Sequence, residues 1–254
     1  MYFFTPNHEN ARMSHWAYCE DLSAATAVIG DTEAHHLLNV LRIGKGTELI
    51  LFNGLGVVAE GVVISSTRRD VTCQILSRRT AAKSSKDCLT VIVAPPKADR
   101  LKWMVEKLTE VGVDRMLMMQ TQRTVVTPGD TKVDKLKANV VAACKQCGRP
   151  FFMELLPLQS FASVLNEIKA AGDQQASWIA HPGLAAASDQ KANLPGGQGN
   201  VNLLIGPEGG FTDQEVAQAV EAGIQPMAWP GTILRIETAA IVFSTLLLSR
   251  RHES

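Results

Sequence analysis

Leu204-Ile205-Gly206-Pro207-Glu208-Gly209-Gly210-Phe211-Thr212-Asp213-Gln214-Glu215 decides the fold class of this chain. The apolar run Val201-Asn202-Leu203-Leu204-Ile205 that enters it reads as a buried strand of a parallel sheet covered on both faces. Thr212, followed three residues later by Glu215, is a capping box, so a helix begins there. The Gly-Pro-Glu-Gly-Gly loop between them lies where open α/β sheets bind ligands, beyond the carboxyl end of a strand. Gly206, Gly209 and Gly210 let backbone groups approach a ligand closely. No Gly-Lys-Ser/Thr follows and Glu208 would repel a polyphosphate, which disfavours a phosphate loop. A neutral or cationic ligand, such as an adenosine carrying a sulfonium, suits the loop better. Taken alone, an ordinary strand-to-helix turn remains the simpler reading.

Working outward, strands and helices alternate along residues 81–254, as expected of an α/β domain. Leu89 to Ala94 reads as a buried strand. Pro95-Pro96-Lys97 leads into a helix with Leu101, Met104, Val105, Leu108 and Val111 on one stripe, ended by Gly112. Further strands are expected at Arg115 to Gln120, Phe151 to Leu155, Ser177 to Ala180 and near Pro226-Met227-Ala228. Helices are expected over 132–147, Phe161 to Ala171, from about Thr212, and over Glu237 to Ser249. Ala187 to Asn200 reads as a loose loop, and Ser77 to Asp87 as a domain boundary. Residues 1–80 read as a small β-barrel with one helix, capped by Asp31-Thr32, running through Arg42 and ended by Gly44-Lys45-Gly46. Its strands are Thr47 to Phe52, Val57 to Ile64 and Val71 to Leu76, with a hairpin turn at Asn53-Gly54.

Composition narrows the function classes. With 46% hydrophobic and 20% charged residues, the 254-residue chain has material for a core and is not a disordered one. Twenty-five basic against 25 acidic residues exclude a generic, charge-driven nucleic-acid binder. Residues 97–149 nevertheless hold 11 basic and 6 acidic residues, and residues 150–254 hold 5 and 10. The basic segment reads either as a solvated helical surface or as a face for an anionic partner. No apolar run approaches the roughly 18 to 20 residues that span a bilayer, so no membrane association is expected. Met1 to His8 lacks the basic region and apolar core of a signal peptide. Five cysteines, an odd number, fit a reducing cytoplasm without structural disulfides.

Two more loops follow predicted strand ends. In Trp229-Pro230-Gly231-Thr232-Ile233-Leu234-Arg235-Ile236-Glu237-Thr238, Arg235 and Glu237 flank a helix start and either face a site or cap the turn. In Ala180-His181-Pro182-Gly183, a lone His before Pro reads as a turn residue. Cys144-x-x-Cys147 lies toward a helix C-terminus, where the dipole disfavours a thiolate, so it reads as structural. His35 and His36 point to different faces of their helix, and no metal site is expected.

The motifs in combination resemble the RsmE-type ribosomal RNA uridine-N3 methyltransferases of the SPOUT superfamily. The resemblance rests on His35-His36-Leu37-x-x-Val40-Leu41-Arg42, Lys97 to Arg100 and Glu106-Lys107-Leu108-Thr109-Glu110-Val111-Gly112-Val113. It continues through Ala142-Ala143-Cys144-x-Gln146-Cys147-Gly148-Arg149, Ile205 to Gly210 and Ile233-Leu234-Arg235-x-Glu237-Thr238-Ala239. Order and spacing agree over nearly the whole chain, which departs from the family pattern at Tyr2, Lys145, Trp229-Pro230 and Ile236.

The resemblance implies a PUA-like RNA-binding barrel followed by a trefoil-knotted α/β methyltransferase domain, acting in the cytoplasm as a homodimer on the small ribosomal subunit. It implies S-adenosyl-L-methionine as cofactor, held by His181, Pro182, Ile205, Gly206, Pro207, Glu208, Gly209, Gly210, Ile233, Leu234, Arg235 and Thr238. Arg235, Arg149 and Glu237 are the candidate catalytic residues. Candidate RNA contacts are Arg42, Arg68, Arg69, Arg78, Arg79, Lys97, Arg100, Arg123, Gln146 and Arg149, with Lys83 and Lys86 at the boundary. Two other classes stay open at this point: an RNA-binding module without cofactor, and a nucleotide-dependent α/β enzyme.

Overall fold

The computed structural model describes residues 15–82, 87–126, 130–182 and 199–249. The chain divides into two compact units, one of residues 1–83 with 141–152 and one of residues 84–140 with 153–254.

The first unit is built on a five-stranded sheet of β1 (His15–Tyr18), β2 (Thr26–Ile29), β3 (Glu48–Phe52), β4 (Val57–Ser66) and β5 (Val71–Thr80), in the order β1-β3-β4-β5-β2. β1 runs parallel to β3, and the other pairs are antiparallel. β1 and β2 form the two edges, so the sheet is a curled half-barrel rather than a closed one. Register shifts in β4 at Glu60/Gly61 and Val63/Ser65 are the bulges that bend it. At Asn53-Gly54 the side-chain oxygen of Asn53 accepts from the amides of Leu55 and Val57 at 2.9 and 3.0 Å, and Gly54 has φ +73°. A Cβ on Gly54 would collide with the ring of Phe152, which packs against Phe52 and Tyr18 at centroid distances of 5.7 and 5.4 Å.

Three local readings are corrected here. β1 and β2 were not anticipated: each has four residues, too few for an alternation to register. The helix expected through Arg42 is shorter. α1 (Asp31–His35) passes into a single π-helical turn, His36–Val40, and the chain leaves at Arg42 with φ +54°. Its cap position is occupied by Gly30, which offers no side chain, rather than by Asp31-Thr32.

The second unit holds six parallel strands, β6 (Leu89–Val93), β7 (Arg115–Gln120), β8 (Glu154–Ser160), β9 (Gln175–Ala180), β10 (Asn200–Ile205) and β11 (Gln225–Met227), in the order β11-β9-β10-β6-β7-β8. Its helices are α2 (Ala98–Val111), the first part of α3 (Asp130–Cys147), whose residues from 141 on belong to the first unit, α4 (Phe161–Ala171), α5 (Asp213–Glu221) and α6 (Ile236–Ser249). On one face α4 and α5 bury Val164, Leu165, Ile168, Val216 and Ala219 against Ile92, Leu117, Ile179 and Leu204. On the other, α2 and α6 pack together, and α6 lies on β6 and β10. Gly112 ends α2 in the left-handed region at φ +100°, with Val113 N–H donating to Leu108 C=O at 3.0 Å.

The strand expected at Phe151 to Leu155 forms three residues later, as β8. Phe151 makes only an isolated bridge to Leu55. Pro157 falls inside β8 where the register with β7 shifts, which is tolerated because β8 is an edge strand. Among the described residues, no helix is long and apolar enough to cross a membrane. The N-terminal segment, Lys83, Lys86, Gly183 and most of the 187–200 loop lie outside the described residues.

Candidate active site

Because every strand of the second sheet is parallel, the carboxyl ends lie along one edge. The register sets Met227 beside Ala180, Ala180 beside Ile205, Ile205 beside Val93 and Val93 beside Met118. The segments that leave β11, β9, β10, β6 and β7 therefore start next to one another. Backbone bonds carry the alignment past the strand ends: His181 N–H donates to Met227 C=O and Ala94 N–H to Ile205 C=O, each at 2.9 Å. The three loops singled out by sequence lie on this edge, where ligands bind in such sheets.

The glycine loop is shaped from within. Gly206 has no room for a side chain, since a Cβ would stand 2.9 Å from the Phe211 ring. Gly210 adopts φ +70° and donates its N–H to Pro207 C=O at 2.8 Å, closing a tight turn whose Cβ direction is open. The capping box forms as read. Thr212 Oγ accepts from Glu215 N–H at 3.2 Å, and Glu215 Oε2 accepts from Thr212 N–H at 2.8 Å.

Two braces from the segment after β7 were not legible in the sequence. Glu215, itself buried, accepts from Gln122 N–H through Oε1 at 2.8 Å. Arg123 donates from Nη1 to Gly209 C=O at 2.7 Å. They hold the loop to a strand two places away in the sheet. Arg123, an expected RNA contact, thus has one donor committed to the loop.

A charged group lies beside it. Arg100, in the first turn of α2, has Nη1 3.9 Å from Glu208 Oε1 and Nε 3.8 Å from Glu237 Oε1. Glu237, in the first turn of α6, is buried, and among the described residues its Oε2 has no hydrogen-bond partner. Arg235 is exposed, and its carbonyl accepts from Ala239 N–H at 2.8 Å to start α6. Leu234, Thr238 and His181 are half-buried, Pro182 is exposed, and Ile233 is 85% exposed. Lys97 is exposed just before α2.

The remaining candidates belong to the first unit. Arg68 and Arg69 are exposed at the β4–β5 turn, which Thr67 Oγ1 holds by accepting from the amides of Arg69 and Asp70 at 3.1 Å each. Arg42 is exposed, and so are Arg78 and Arg79 on β5. Arg78 donates to Ala24 C=O at 2.6 Å. Gln146 is exposed at the end of α3, with Arg149 half-buried just beyond it. Lys145, a departure from the family pattern, forms a 2.7 Å ion pair with Glu33, whose other oxygen accepts from Tyr18 N–H. Burial pushes the Cys144 thiol up to about 12, against a smaller opposing pull from Arg149, so it is protonated at neutral pH and not a redox thiolate. Among the described residues, no cluster of His, Cys, Asp and Glu is placed to hold a metal.

The arrangement offers glycine backbone, a buried carboxylate oxygen without a donor and an acidic Glu208. That set suits a ligand rich in N–H and O–H donors, or cationic, and not a polyphosphate.

Comparison with known proteins agrees with this chemistry. A family model described as an RNA methyltransferase domain matches residues 83–248, and one described as an RNA methyltransferase PUA domain matches residues 29–76. The ribosomal RNA small subunit methyltransferase E of Mycobacterium bovis is 31% identical over 228 residues, spanning 87% of this chain and 85% of its own. That of Bacillus subtilis is 27% identical over 241 residues, with 89% and 93% covered. A Legionella pneumophila methyltransferase solved with bound SAM has a TM-score of 0.83 at 25% identity, covering 93% of this chain and 97% of that one. The Neisseria gonorrhoeae ribosomal RNA small subunit methyltransferase E, bound to S-adenosyl methionine, has a TM-score of 0.82 at 24% identity with the same coverage.

Proposed function

We infer, from a chain that belongs to the ribosomal RNA small subunit methyltransferase E family, that it methylates small-subunit ribosomal RNA with S-adenosyl-L-methionine, at N3 of one uridine. The observation that carries the reading is the braced glycine loop at the carboxyl edge of the parallel sheet.

When bound, the cofactor supplies a methyl group on a positively charged sulfur. Ile205 to Gly210, His181-Pro182, Ile233-Leu234-Arg235 and Thr238 are the residues assigned to hold it. The open side of Gly210 and the donor-free oxygen of Glu237 fit such a ligand. The methyl donor is intrinsically reactive, so the chain's task is alignment and exclusion of water. N3 lies on the Watson–Crick edge, so the target uridine must be unpaired or turned out of its stack. N3 must also give up its proton. Arg235 is assigned to the resulting O2/O4 anion or to the neighbouring phosphate, and Glu237 is the carboxylate of that set; Arg149, in the first unit, stays a candidate through the resemblance alone.

The PUA-like unit reads RNA shape, with Arg68, Arg69, Arg78 and Arg79 on phosphates. The family's trefoil knot, homodimer and cytoplasmic location come with this reading, and an assembled small subunit is its preferred substrate. A transfer assay with tritiated methyl donor tests it. Label is expected on assembled small subunits faster than on naked ribosomal RNA, with a steep decline as salt rises. Transfer RNA labelled in preference to either would overturn the substrate assignment.

A further inference from the structure

Two carboxylates, Glu208 on the glycine loop and Glu237 on α6, converge on one guanidinium. Arg100 stands 3.9 Å from the first and 3.8 Å from the second. Both distances are ion-pair distances and exceed hydrogen-bond length, so the arginine straddles the two acids without being consumed by either. The two acids are unequal. Glu208 has a side chain 51% exposed, whereas that of Glu237 is 10% exposed. A buried carboxylate needs a countercharge and hydrogen-bond donors. Arg100 supplies the charge on the Oε1 side. On the other side Oε2 is buried and, among the described residues, has no donor. A buried acceptor left unmatched is destabilising, so its persistence calls for a partner that arrives from outside the chain.

The position narrows that partner. Glu237 is four residues past Ile233 and one before Thr238, both assigned to the cofactor, and its ion partner also touches the glycine loop. We propose that Glu237 Oε2 accepts a hydrogen bond from an N–H or O–H of the nucleoside-sulfonium cofactor. Arg100 is the positioning residue that holds this carboxylate from its Oε1 side and ties it to Glu208. The inference rests on the cofactor assignment above, and it moves Arg100 from the RNA-contact set to the cofactor site. The simpler role for Glu237 is that of an acid in the first turn of a helix, stabilising α6 through the dipole.

Binding calorimetry on the full chain separates these roles. S-adenosyl-L-methionine and its demethylated product, S-adenosylhomocysteine, are the probes, with thermal unfolding measured alongside. Glu237→Gln keeps the shape but replaces the charged acceptor. It should weaken binding of both probes by roughly tenfold or more, since a hydrogen bond to a charged group is lost. Arg100→Ala should weaken them comparably, and Arg100→Lys should restore part of the loss. RNA affinity should stay within about threefold throughout. Loss of thermal stability in Glu237→Gln with unchanged cofactor affinity would overturn the proposal in favour of the helix role. Normal cofactor affinity in Arg100→Ala with weakened RNA binding would return Arg100 to the RNA surface. A wild-type protein that binds neither probe would instead overturn the cofactor assignment itself. Should Glu237→Gln fail to fold, Arg100→Ala and Arg100→Lys decide the question.

Discussion

Gly209→Val should lower affinity for S-adenosyl-L-methionine by about a hundredfold, roughly 2.7 kcal/mol, while the protein stays folded. The structure separates the three loop glycines. Gly209 is exposed and free of positive φ, and a Cβ there would meet Arg123 Cδ at 3.4 Å and Arg123 Cβ at 3.6 Å, which is ordinary van der Waals contact. The backbone therefore accepts a side chain. The valine methyls, however, must enter either the place of Arg123, which braces Gly209 C=O, or the open side of the loop that a ligand approaches. The cost falls on binding, and thermal unfolding should move by no more than about 4 °C. Gly206→Ala should show the opposite pattern. Its methyl would strike the ring of Phe211, which is buried and packs on Phe161 at 5.9 Å, so stability should fall by about 1–3 kcal/mol. Calorimetry and thermal melts on both variants check the pair. Unchanged affinity in a folded Gly209→Val would remove the loop from the cofactor site.

Arg235→Ala should reduce turnover by roughly 10²–10³ while RNA affinity changes by less than about threefold. Its backbone is fixed by the start of α6, and among the described residues its guanidinium forms no ion pair, unlike that of Arg100. An exposed guanidinium beside the loop cluster is available to an anion that develops during the reaction. Single-turnover rates at saturating RNA, with separate RNA binding curves, distinguish chemistry from docking. Arg235→Lys should recover only part of the rate, because an ammonium lacks the planar fork. A variant with normal single-turnover rate and weakened RNA binding would make Arg235 a docking residue.

What the sequence made legible was local. Arg115 to Gln120 and Phe161 to Ala171 form at the expected bounds, because apolar runs and their capping residues act within a few positions. The capping box at Thr212 and Glu215 is legible for the same reason. Distant pairing was not. β1 and β2 exist because the sheet offers them an edge, not because four residues prefer to be strands. Phe151 and Phe152 look like the start of a strand, but Phe152 packs in an aromatic cluster, and the strand begins after them. The site divides in the same way. The three loops carry glycine, proline and capping signals that can be read along the chain. Arg123 on Gly209 and Gln122 on Glu215 join residues 86 and 93 positions apart, and no local pattern announces either. Lys145, at odds with the family motif, is explained only by Glu33, 112 positions away.

Nucleoside analysis of small-subunit ribosomal RNA from cells lacking the gene tests the central claim most directly. One 3-methyluridine should be missing there, restored by the wild-type gene and not by Gly209→Val. A complete set of 3-methyluridine in the deleted cells, with a ribose methyl or another methylated base missing instead, would contradict it.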